Sequence, residues 1–143
     1  MLNVGDIMTH DVVCIEEKST LQEAIDLMDL RGCRHLVVIN EDAKVSGIVS
    51  DRDCRLAQYS PYIVRERWQD EAVLNQTEVG MIMTPEPICV TPNTPVPEAA
   101  QKLLTHHINA LVVMNKAELL GILTSSDVMR AYVQESQFAN AKD

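Results

Sequence analysis

The chain has 143 residues, 46% of them hydrophobic but only 3% aromatic, so it carries enough Val, Ile, Leu, Met and Ala for a domain-sized core. Its formal net charge of −9 argues against nucleic acid, which needs clustered Lys and Arg, and against an anionic membrane surface. No apolar run approaches the roughly 18 residues of a membrane span.

The opening, MLNVGDIMTH, lacks the basic region and long apolar stretch of a signal peptide, and a cytoplasmic location is expected. A short extended piece, Val12 to Ile15, follows. Ser19 with Gln22, or Thr20 with Glu23, then forms a capping box. Leu21, Ala24, Ile25 and Met28 fall at i, i+3, i+4 and i+7, the apolar stripe of a helix that Gly32 ends. Leu36 to Ile39 is apolar at every position and reads as a strand buried on both faces. A polar turn at Asn40–Lys44 leads to a second strand, Val45–Val49. Ser50-x-x-Asp53 opens a helix from Asp51 to about Tyr59, which Pro61 interrupts. Ile63 to Asn75 reads as a further helix, a surface connector that lays Trp68 and Val73 on the core, with a lid over a ligand or a dimer contact as the alternatives.

The remainder repeats the beginning. Shifted by 75 residues, VGDIMTHDVVCI (Val4–Ile15) falls on VGMIMTPEPICV (Val79–Val90), and HLVVIN (His35–Asn40) on ALVVMN (Ala110–Asn115). After one deletion, Gly47, Ser50 and Asp53 fall on Gly121, Thr124 and Asp127. Self-similarity over about fifty positions signals duplicated structural units. In the second copy Ile88–Val90 is the extended piece, Thr94 is expected to cap a helix with Pro95 at its first position, and Val96, Ala99, Ala100 and Leu103 form the stripe. Leu111–Met114 and Leu119–Leu123 are the strands. The fold class is α/β (α+β), two β-α-β-β-α units packed as a pseudo-twofold pair. The expected divisions are 1–60 for the first repeat, 61–78 for the connector, 79–136 for the second repeat and 137–143 for a tail.

Cys14, Cys33, Cys54 and Cys89 have no paired spacing and read as small apolar residues. His106 and His107 are adjacent on a helix and do not face one site, so zinc is not expected there. Met8 and Met83 read as core. There is no Walker-type phosphate loop, and no Ser-His-Asp or Cys-His constellation.

A duplicated β-α-β-β-α unit that opens with IMT and closes with Gly-aliphatic-aliphatic-Ser/Thr-x-x-Asp closely resembles the cystathionine-β-synthase (CBS) domain family, over nearly the whole chain. The resemblance implies clefts between the repeats, dimerisation into a flat disc, and regulatory binding of AMP, ADP, ATP or S-adenosylmethionine by a sensor that signals to another protein. With no metal constellation and no phosphate loop, neither enzyme activity nor a metal is expected; no obligatory cofactor is expected, and the charge argues against nucleic acid and membrane.

The Ser/Thr-x-x-Asp element has two readings. As structure, Ser50 and Thr124 are N-caps, and Asp53 and Asp127 bond back to the cap N–H in a first turn that favours negative charge. As a site, an ionised Asp offers two acceptor oxygens to the vicinal hydroxyls of a ribose. The preceding glycine would let a base or sugar approach the backbone. By resemblance, Asp53 and Asp127 become ribose ligands, and Ser50 and Thr124 become ribose or phosphate contacts. Thr9, Val12 and Val13, with Thr84, Pro87 and Ile88, become an adenine slot completed by Leu36 and Leu111. The copies differ: Arg34, His35 and Arg52 in the first stand where Asn109, Ala110 and Ser126 stand in the second. Phosphate is therefore expected to prefer Arg34, Arg52 and His35. Two rivals are a ligand-free dimerisation or structural module and a small nucleotide-hydrolysing enzyme.

Overall fold

The computed structural model describes residues 2–58 and 66–142. Tyr59, Pro61, Tyr62 and Ile63, and with them the expected break at Pro61, lie outside the described residues. In chain order the elements are α1 (Val4–Ile7), β1 (Cys14–Glu16), α2 (Leu21–Arg31), β2 (His35–Ile39), β3 (Val45–Ser50), α3 (Asp51–Gln58), α4 (Arg67–Gln76), α5 (Val79–Ile82), β4 (Thr84–Pro85), β5 (Cys89–Val90), α6 (Val96–His106), β6 (Ala110–Asn115), β7 (Glu118–Thr124) and α7 (Ser125–Lys142). The mixed α/β class and the duplicated plan are as expected. Each copy also opens with a one-turn helix, α1 or α5, that four residues are too few to announce by periodicity.

The compact units cut across the sequence repeat. One comprises Val13–Pro87; the other joins Met1–Val12 to Ile88–Asp143. Each unit is thus most of one copy plus the opening turn of the other. In the first, a sheet of order β1-β2-β3-β4 has β1 parallel to β2 and the other pairs antiparallel. In the second, β5-β6-β7 repeats the same pattern, with Thr9 bridged to Ile122 on the far side of β7.

The same bonds hold both opening turns. Val4 donates to the Thr94 carbonyl at 2.8 Å and Gly5 to that of Pro92 at 2.8 Å. In the other unit Val79 donates to Ser19 at 2.8 Å and Gly80 to Glu17 at 2.9 Å. Val4 and Val79 are fully buried, each in the apolar cluster of its own unit. Burying such a side chain contributes about 1.5–3 kcal/mol, so the exchanged turn is part of the core that receives it.

Helix ends follow their local chemistry. Thr20 caps α2, its hydroxyl accepting from Glu23 N–H at 3.1 Å. Gly32 ends it in the left-handed region at φ 64°, where an L side chain is disfavoured. In the second copy the cap differs from expectation. Pro95 is itself the N-cap of α6, and the Thr94 hydroxyl instead accepts from Thr91 N–H at 3.2 Å. A non-glycine, His107, takes the left-handed position at φ 55°, donating its N–H to Leu103 and Leu104. α4 lays Val73 on the core, but Trp68 is 67% exposed, contrary to the expected packing. Met8 and Met83 pack against the two cores as expected. No helix of the described residues is long and apolar enough to cross a membrane.

Candidate functional site

Each unit carries one Ser/Thr-x-x-Asp junction, where the third strand of the sheet turns into a helix: β3 into α3 with Ser50 and Asp53, and β7 into α7 with Thr124 and Asp127. Both junctions close the full capping box. Ser50 N–H donates to Asp53 Oδ2 at 2.9 Å and Asp53 N–H to Ser50 Oγ at 3.1 Å. Thr124 N–H donates to Asp127 Oδ2 at 3.0 Å and Asp127 N–H to Thr124 Oγ1 at 3.2 Å. The structural half of the motif's chemistry is therefore met in both copies.

Beyond the cap the two diverge. Asp127 is 5% exposed. Thr9 Oγ1 donates to both of its oxygens at 3.2 Å, and Arg130 Nη1 donates to Oδ1 at 3.1 Å. Asp53 is half-buried, and among the described residues its carboxylate accepts only the Ser50 N–H. Thr84, which corresponds to Thr9, is exposed in β4 and makes no bond to Asp53. Leu56 stands where Arg130 stands and cannot donate. Arg130 was not singled out from sequence; its position one turn after Asp127 is the signal that finds it.

The glycines before the motif answer to the protein's own backbone. A Cβ on Gly121 would lie 2.7 Å from the Thr9 carbonyl oxygen and 2.9 Å from Met8 Sδ. A Cβ on Gly47 would overlap Met83 Sδ and lie 2.9 Å from the Thr84 oxygen. The space expected for a base or sugar is filled by the Met-Thr of the opening segment, which pairs along β3 or bridges to β7. Leu36 and Leu111 are fully buried within the two apolar clusters, so neither presents side-chain surface to a ligand. Alternation along the strand turns Leu36 and Val38 to that core.

Of the other expected slot residues, Val13 accepts from Val37 N–H at 3.0 Å and Ile88 from Val112 N–H at 3.1 Å, so both carbonyls extend the sheets. Val12 N–H donates to the His10 carbonyl at 3.0 Å, and Pro87 is half-buried. Around Asp53, the basic residues gather. His35 starts β2 opposite Ser50 and is half-buried; burial pushes its imidazole below the usual value, against the opposing pull of Asp51 and Asp53. The Arg34 carbonyl accepts Asp51 N–H at 2.9 Å, while its exposed guanidinium and that of Arg52 make no hydrogen bond among the described residues. Asp51 is held by Arg55 at 2.9 Å. In the second copy, Asn109 accepts the Ser125 hydroxyl at 3.2 Å, Ala110 is buried, and Ser126 is exposed.

A cavity of about 390 Å³ lies between α2 and α3, lined by Ile25, Met28, Cys33 and Cys54, with Arg34, Asp51 and Arg55 among its polar lining. Ser50 and Asp53 do not line it, so it is separate from the junction carboxylates.

The sequence model of the CBS domain matches residues 4–60 and 79–134. A CBS domain-containing protein of Dictyostelium discoideum is 29% identical over 127 residues, 88% of either chain. The chain is also 31% identical, over 90% of its length, to part of the homoserine O-acetyltransferase of Methanococcoides burtonii, of which it spans 24%. Among solved structures, CBSX2 in complex with AMP is 28% identical, with a TM-score of 0.75 over 95% of this chain and 99% of that one. A putative acetoin utilization protein, AcuB, from Vibrio cholerae is 26% identical, with a TM-score of 0.77 over 100% and 98%. With both repeats matched by the family model and the full length matched by CBS-pair structures, the chain belongs to the CBS domain family.

Proposed function

We propose that the chain is a regulatory module that binds an adenosine-type ligand, AMP, ADP, ATP or S-adenosylmethionine, and passes its ligand state to a partner protein without catalysing a reaction. The observation that carries this reading is the end-to-end likeness to CBSX2, a protein solved with AMP. The chemistry supports it: a carboxylate at a strand-to-helix junction can accept both hydroxyls of a ribose, and the guanidiniums of Arg34 and Arg52, which make no hydrogen bond among the described residues, suit a phosphate. Occurrence of a similar stretch within a longer enzyme supports action on a partner. A cytoplasmic setting agrees with cysteines that form no disulfide among the described residues.

A second copy of the chain is the partner that the surface supports first. Leu56 on α3, and Met129, Tyr132 and Val133 on α7, are 51–71% exposed. Apolar side chains so exposed suit burial against a partner. The ligand acts by its differential affinity for two packing states.

A thermal-shift series with AMP, ADP, ATP, GTP, NADH and S-adenosylmethionine tests the reading. A melting temperature that climbs with the concentration of one adenosine compound supports it. The rival is a ligand-free dimerisation module, favoured by the fact that both capping boxes close without a ligand. It predicts no shift with any of the six.

A further inference from the structure

We infer that the duplicated motif has divided its labour: Asp127 is a structural strut withdrawn from ligand binding, and the chain takes one adenosine ligand, at Asp53. This rests on the ligand-binding reading above and narrows it to one junction.

A carboxylate has about four acceptor positions. At Asp127 three donors occupy both oxygens: the one Thr9 hydroxyl proton is shared between them, Arg130 takes Oδ1 and Thr124 N–H takes Oδ2. A ribose diol would have to displace the Thr9 hydroxyl and the Arg130 guanidinium from a group that is 5% exposed. The bonds it gained would replace bonds of the same kind, so the exchange returns little affinity.

At Asp53 nothing comparable must be broken. The residues corresponding to the two clamps, Thr84 and Leu56, make no bond to it. One carboxylate oxygen is uncommitted among the described residues, and Arg34 and Arg52 stand where Asn109 and Ser126 stand in the other copy. Duplication thus left one junction clamped by its own side chains and one open.

Titration calorimetry with AMP on the full chain tests this, with melting curves of the same samples. The expected result is one AMP per chain, at least tenfold weaker in Asp53→Asn, and within about threefold of wild type in Asp127→Asn, which instead melts lower. Asn retains an acceptor for the cap N–H, so Asp53→Asn keeps its fold. Should Asp127→Asn not fold, the wild-type stoichiometry and the Asp53→Asn affinity decide alone. Two AMP per chain, or full affinity in Asp53→Asn, overturns the division of labour while leaving the ligand-binding reading intact. Wild-type protein that binds none of the adenosine compounds overturns both.

Discussion

The hydroxyl of Thr9 lies 3.2 Å from each carboxylate oxygen of Asp127, 118 residues further along the chain. One end of the sequence is thereby tied to the first turn of the last helix. The matching pair in the other unit, Thr84 and Asp53, makes no such bond.

Replacing Thr9 with Val keeps the shape but leaves a buried charged acceptor short of a donor. A hydrogen bond to a charged group is worth about 1.5–3 kcal/mol. Thr9→Val should lose stability on that scale in urea unfolding, by a lower midpoint at unchanged slope. Thr84→Val, at an exposed site without the bond, should stay within about 0.5 kcal/mol of wild type. Equal losses in the two would show that the tie adds nothing.

Gly47 and Gly121 are needed for space, and Gly32 for backbone angle. A Cβ on Gly121 would press on the Thr9 oxygen at 2.7 Å, and the backbone oxygen cannot rotate away. Gly121→Ala and Gly47→Ala should each cost about 1–3 kcal/mol, the usual scale of overpacking. Gly32 has open space around it but φ 64°, so Gly32→Ala should cost about 1 kcal/mol and Gly32→Asn less. Unfolding curves that leave Gly121→Ala at wild-type stability would mean that the opening segment is not seated as described.

Much of this architecture can be read from residues alone, because its signals are local. Thr20 with Glu23, the stripe Leu21-Ala24-Ile25-Met28, and Gly32 each specify a helix feature within one or two turns. The all-apolar runs at Leu36 and Leu111 likewise announce buried strands. The exchange of opening turns is different. Val4 bonding Thr94 and Val79 bonding Ser19 are long-range pairings, and sliding two copies over each other looks the same whether each turn stays or swaps. For that reason Gly121 could be read as making room for a ligand when it makes room for Thr9. Asp127 shows the same limit: spacing identifies its cap, while the Thr9 clamp exists only in the fold. Trp68 gave no periodic signal to say which way it faces.

His35 makes stability pH-dependent in a stated direction. Burial lowers its folded-state pKa below the ordinary 6.5, while Asp51 and Asp53 only partly oppose this. Below about pH 6.5 the unfolded chain therefore binds the proton more readily than the folded one, and stability falls as pH falls. His35→Gln should flatten the decline in unfolding free energy between pH 7.5 and pH 5.5. A decline as steep in the variant as in the wild type would assign it to other groups.

Cys54 should be the least reactive of the four thiols. It is 3% exposed on α3, and burial, with Asp53 and Asp51 adding their negative charge, pushes its pKa up to about 11. The thiolate is the nucleophile, so at pH 8 only about a thousandth of this group is competent. Cys54 also belongs to the apolar cluster around Leu36 and Val49, which leaves little of it exposed even beside the cavity it lines. Iodoacetamide labelling of native protein at pH 8, followed by peptide mass spectrometry, should modify Cys14 ahead of Cys54, whose labelling should follow global unfolding in urea. Asp53→Asn removes one of the charges that raise the pKa but not the burial, so it should leave Cys54 protected. Rapid native labelling of Cys54 would mean that α3 opens locally, and with it the junction that carries Asp53.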